Sequence, residues 1–84
     1  MKMMIFAVRD ELNGFGQLFT APTEAFAKRD MSAAVNNDKS NSAIAYSPKD
    51  FSLYKLGVFD DTTGVVESLT VPEFIVRGSD LIAD

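Results

Sequence analysis

The sequence contains no cysteine and no histidine. Those absences exclude disulfides, thiolate zinc sites, cysteine nucleophiles, imidazole bases and haem ligation together. They also fit a reducing interior. Long apolar runs are lacking as well. Met1 to Val8 is apolar apart from Lys2, but the run breaks at Arg9, Asp10 and Glu11. A membrane span needs about 20 apolar residues, and a signal peptide needs a longer run with a small-residue cleavage site. The segment is therefore expected to be a first β-strand, and no membrane association is expected. Gly14-Phe15-Gly16 lacks the third glycine and the following helix of a dinucleotide fingerprint, and there is no Gly-Lys-Ser/Thr phosphate loop. Positive charge is in the minority too: 12 acidic against 8 basic residues give a formal charge of −4. Such a balance repels a phosphate backbone at long range and counts against strong non-specific DNA binding by a monomer, although a local basic patch stays possible.

What is present reads as one α+β domain spanning residues 1–84. A chain of this size buries only roughly 60–65% of its unfolded surface, so its core is thin. Met3 to Val8 is apolar at both parities, which suits a strand covered on both faces. Asn13-Gly14-Phe15-Gly16 reads as a loop. Thr20 or Thr23 can cap a following helix, with Pro22 in its first turn and Glu24 near its positive end. Ala27, Met31, Ala34 and Val35 form its apolar stripe. Asn36 to Ser42 is a polar loop, Ala43 to Tyr46 is ambiguous, and Ser47 to Asp50 is a turn or a single helical turn.

Phe51 to Phe59 is the clearest strand. Strict alternation puts Phe51, Leu53, Lys55, Gly57 and Phe59 on one face, and Ser52, Tyr54, Leu56 and Val58 on the other. Asp60 to Gly64 supplies a hairpin turn with Gly64 in the left-handed position, and Val65 to Thr70 returns as its partner. Val71-Pro72 breaks the ladder, because proline lacks the donor. Glu73 to Arg77 is an edge strand or irregular, and Gly78 to Asp84 is expected to be loosely held. The sum is a small antiparallel sheet of three to four strands with one helix. One helix covers one face, so the second needs a cover. A homodimer through the sheet, face to face or edge to edge, supplies it; the alternative is cover from residues 10–20 and 71–84 within a monomer.

Without histidine and cysteine, catalysis would have to rest on carboxylates, lysines and hydroxyls. Asp60-Asp61 is the one adjacent Asp pair and sits where a turn is expected, which is what aspartate does in turns. No enzyme activity, cofactor or metal is expected. Nucleic-acid binding has a better basis, since single strands are held by aromatic faces plus cations. Tyr46, Lys49, Tyr54 and Lys55 interleave the two types, although Tyr54 also suits a core or dimer contact. Arg29 flanks the apolar stripe, where its stem can pack while the guanidinium reaches a partner or pairs with Glu24 or Asp30. Arg9 and Lys28 complete the candidate set.

Several segments, in order, resemble the small nonstructural protein of gokushovirus-type microviruses, which are single-stranded-DNA phages. Ile5-Phe6-Ala7-Val8-Arg9-Asp10 is similar to the family's starting strand. Pro22-Thr23 leads to Ala27-Lys28-Arg29-Asp30-Met31, similar to its Ala-x-Arg-x-Phe pattern with methionine for the aromatic. Ser47 to Asp60 resembles its Pro-Glu-Asp-Tyr, Leu-Tyr-x-Leu-Gly and Phe-Asp sequence, with Lys49 in place of the acid, followed by Thr63-Gly64 and Pro72-Glu73. The resemblance implies a nonstructural accessory role in viral single-stranded-DNA synthesis or the change from replication to packaging, in the cytoplasm of the infected bacterial host. It implies no catalytic residues. The first expectation is thus a homodimer binding single-stranded viral DNA. The second is a protein-interaction module engaging the replication initiator, a capsid component or a host factor, which the acidic charge favours. A minor virion component is the third.

Overall fold

A computed structural model of the chain describes residues 1–40 and 42–83. β1 (Lys2–Asp10), β2 (Gly14–Ala21), β3 (Phe51–Asp60) and β4 (Val66–Arg77) form one antiparallel sheet in the order β2-β1-β3-β4. The strand that is apolar at both parities, β1, is central, but among the described residues helices cover only one of its two faces. The expected α+β architecture is therefore present, with four strands.

Two hairpins share one turn chemistry. Asp10 Oδ1 accepts the Leu12 N–H at 2.9 Å, and Asp60 Oδ1 accepts the Thr62 N–H at 2.9 Å. Each turn closes on a left-handed glycine, Gly14 at φ +111° and Gly64 at φ +78°, a region where a Cβ is strained. Gly64 takes its expected role. Gly14, at the same spacing from Asp10, does not belong to a loop running on to Gly16; it opens β2.

Bulges decide which side chains share a face. Ile5 pairs with Gly57 while the adjacent Phe6 pairs with Lys55, so Leu56 is an extra residue of β3. The alternation expected along β3 therefore reverses there. Ser52 and Tyr54 share a face with Gly57 and Phe59, and Leu53 shares the other with Val58. Gly16 and Gln17 together oppose Val8. Ile75 is extra between Phe74 and Val76, which lets both Ile75 and Val76 pack on the core. Around Pro72 the register jumps from Gly57↔Ser68 to Lys55↔Glu73. The proline interrupts the ladder as expected, yet β4 resumes beyond it.

The helix α1 (Glu24–Val35) starts at Thr23, whose hydroxyl accepts the Phe26 N–H at 3.1 Å; Thr20 lies within β2 instead. Ala27, Met31 and Val35, four residues apart, fall on one stripe and meet Phe6, Ala21 and Leu53. The Phe6 and Phe19 rings stack at 5.8 Å within that layer. A short helix α2 (Ala43–Tyr46) adds Ile44 to the same core, and a 3-10 turn (Pro48–Asp50) leads into β3.

The terminal segment is not loose. It forms a 3-10 turn (Gly78–Leu81) with Leu81 on the core. Asn36 Nδ2 donates to the Leu81 carbonyl at 2.9 Å, and the Ala83 N–H donates to Asn36 Oδ1 at 2.7 Å. Gly78 fits there because a Cβ would collide with the Pro48 carbonyl oxygen. Asn41, in the expected polar loop, and Asp84 lie outside the described residues. Among the described residues no helix is long and apolar enough to cross a membrane.

Candidate nucleic-acid interface

α1, α2 and the terminal turn all deliver apolar side chains to one face of the sheet. The opposite face carries no α-helix among the described residues. Residues directly across a ladder share a face, so the registers define its rows. One row runs Phe15, Arg9, Ser52, Arg77 across β2, β1, β3 and β4; the next runs Leu18, Ala7, Tyr54, Phe74.

Three rings join across these rows. Phe15 and Tyr54 meet edge to face at 5.3 Å and 75°, and Tyr54 meets Phe74 at 5.7 Å and 80°. Such edge-to-face pairs hold rings in place beyond simple burial. Ala7 is buried beneath them, while Phe15 and Phe74 remain 47% and 52% exposed. The Arg9 guanidinium lies over the Phe15 ring, 5.5 Å from its centroid, a favourable cation–π placement.

The carboxylates at paired positions are confined to one face. On the uncovered face the paired positions carry Arg9 and Arg77 and no carboxylate. Asp60 pairs with Lys2, Glu67 with Val58, and Glu73 with Lys55, all on the side of the core residue Phe6. One acid borders the arginine row from the turn: Glu11 Oε2 stands 3.7 Å from Arg9 Nε. Two polar atoms in that row are buried without a hydrogen-bond partner, Arg9 Nε and Ser52 Oγ.

The aspartates that close the hairpins are set for turn structure. The Leu12 N–H, with the Asn13 side chain second, holds the Asp10 carboxyl below its ordinary range. The Thr62 N–H does the same for Asp60. Among the described residues no group of three or more His, Cys, Asp or Glu side chains is arranged to hold a metal ion.

Of the seven candidates named from sequence, the sheet brings together Arg9 and Tyr54. Lys55, next to Tyr54, sits opposite Phe6 and therefore on the other face. Tyr46 is exposed on α2 and lines a separate hollow with Pro48, Lys49, Ser79 and Ile82. The 46–55 interleaving is thus a feature of the chain and not of one surface. Lys28 pairs with Glu24 at 3.5 Å along α1, and Arg29 is exposed on the same helix. Sequence reasoning missed Phe15, Phe74 and Arg77. Phe15 falls in the stretch that reads as a loop, although Asp10 to Gly14 repeats the spacing of Asp60 to Gly64 and marks a second hairpin. Phe74 and Arg77 follow Pro72, and bulges hide their register.

Neither a curated protein nor a solved structure matches the chain. One family profile does, that described as Phage ORF5 protein, over residues 3–81. The matched span runs from β1 through the terminal turn and so includes the whole uncovered face. The expected phage setting follows at the level of the family: the chain belongs to the Phage ORF5 proteins.

Proposed function

We propose that this chain is a non-enzymatic accessory protein of gokushovirus-type microviruses that binds single-stranded DNA across the uncovered sheet face. Its role is in viral single-stranded-DNA synthesis or the change from replication to packaging, within the cytoplasm of the infected bacterium. The observation that carries the reading is the distribution of carboxylates between the faces. In a chain of net charge −4, the paired positions of one face hold two arginines and no carboxylate, beside three linked rings. Exposed rings take unstacked bases, and guanidinium groups take the backbone. Among the described residues the uncovered face has no projecting helix to enter a duplex groove, so a single strand is the better fit. A homodimer would be compatible with this role if it paired edge to edge, extending the face; stacking sheet on sheet would bury it.

Fluorescence anisotropy with a labelled oligothymidine tests the proposal. Binding is expected at about 20 mM salt and should weaken steeply toward about 200 mM. No binding at the lower salt would refute it. A protein-partner reading is supported by the acidic residues of the opposite side, Asp60, Glu67 and Glu73, which would steer a basic partner. Recovery of a phage protein but no nucleic acid from infected cells would favour that reading.

A further inference from the structure

We infer that the row Arg9–Ser52–Arg77 is a phosphate-contact site, with the Ser52 hydroxyl at its floor and a guanidinium from each neighbouring strand. The inference rests on the proposed DNA-binding role and assigns the backbone contacts within it.

Ser52 lies directly opposite Arg9 on one side and Arg77 on the other. Adjacent strands are about 4.8 Å apart, so the two arginine Cα atoms flank β3 at roughly 10 Å. Side chains of arginine length converge easily over the residue between them. Ser52 is fully buried, and its Oγ has no hydrogen-bond partner. An unsatisfied buried hydroxyl costs stability and calls for a reason. An alanine would fill nearly the same space without that cost. Arg9 Nε shares the condition: it is shielded and lacks a hydrogen bond.

The Arg9 guanidinium rests between the Phe15 ring and the Glu11 carboxylate, whose oxygen at 3.7 Å is too far for a hydrogen bond. That contact is weak and easily exchanged. A phosphodiester carries oxygens that accept bidentate guanidinium bonds and a hydroxyl donor together. When Arg9 swings from Glu11 to a phosphate, its Nε gains an acceptor. The bases of the same strand then lie over Phe15, Tyr54 and Phe74. Glu11 competes with the phosphate for Arg9 and so sets the affinity.

Five variants and two probes test the site. With oligothymidine, R9A and R77A should each flatten the dependence of log affinity on log salt by about 0.7, the value for one phosphate contact on a single strand. F74A should weaken binding without changing that slope, because stacking releases no counterions. S52A should melt at or above the wild-type temperature yet bind roughly 3- to 10-fold more weakly, a separation that a purely structural serine would not produce. E11Q should bind more tightly than wild type. Unchanged slopes in R9A and R77A, or unchanged affinity in S52A, would overturn the inference while leaving DNA binding intact. Inorganic phosphate supplies the second probe, read by the arginine Nε–Hε NMR signals. If oligonucleotide does not bind but phosphate saturably shifts Arg9 and Arg77 and not the S52A protein, the site stands and the DNA-binding role fails. If phosphate shifts neither arginine and oligonucleotide does not bind, both fail.

Discussion

On the side of the sheet that α1 covers, Phe6 and Leu53 are completely buried against Ala27, Met31 and Val35. On the other side, Phe15, Leu18 and Phe74 stay 47%, 61% and 52% exposed, beside two arginines. The same four strands make both faces by alternation. The difference shows that the apolar content of this chain serves two ends. One set of side chains is spent on a core, and the other is organised but left at the surface. Stability and binding should therefore separate by face when residues are replaced.

The largest effect is expected on the covered side. Phe6→Ala should cost about 3–5 kcal/mol. Each kcal/mol lowers the melting temperature by about 4–8 °C in a domain of this size, so thermal unfolding gives a plain readout. Phe74→Ala should shift the melting temperature little but weaken oligonucleotide binding by about 1–3 kcal/mol. A Phe74 variant that unfolds as Phe6→Ala does would erase the distinction between the faces.

Gly57, on the uncovered face, tests it through the backbone. A Cβ there would collide with the Glu67 carbonyl oxygen and crowd Ser68 Cα, both backbone atoms of β4. Gly57→Ala should cost about 1–3 kcal/mol through displaced strand pairing, measured by urea unfolding. Because β4 carries Phe74 and Arg77, it should also weaken DNA binding, coupling properties that single-face variants keep apart.

Much of the covered face was legible in the sequence. The stripe Ala27, Met31, Val35 follows from helical spacing, and the strand at Phe51 from alternation. The Asp60 to Gly64 turn follows from its residues. The uncovered face was far less legible, for a physical reason. Its rows depend on which residues stand opposite one another, and each bulge shifts that pairing by one or more positions. Leu56 reverses the faces of β3 beyond it, so Gly57 and Phe59 join the face of Tyr54 and not that of Lys55. The residues around Pro72 displace Phe74 and Arg77 from any register counted back from the turn. Only β2 was recoverable: Asp10 and Gly14 carry the same turn signal as Asp60 and Gly64.

Smaller effects belong to the caps and turns. Thr23→Ala removes the hydroxyl that accepts the Phe26 N–H and should cost about 1 kcal/mol, with no change in DNA affinity. Asp10 and Asp60 are held below their ordinary carboxyl value of 3.8 by backbone N–H groups. A carboxyl depressed in the folded state stabilises it above the unfolded value, and that contribution fades as pH falls through the folded one. Melting temperature should thus drop as pH is lowered below 3.8. The double variant D10N/D60N, which keeps an acceptor oxygen at each turn, should show a shallower drop.

The location of binding is the point on which the contrast between the faces stands or falls. Titrating the protein with a short oligothymidine while recording amide and side-chain NMR shifts tests it directly. Saturable shifts are expected at Arg9, Phe15, Ser52, Tyr54, Phe74 and Arg77, with α1 nearly silent. Shifts centred on Lys28, Arg29, Tyr46 and Lys49, or no shifts at low salt, would contradict it.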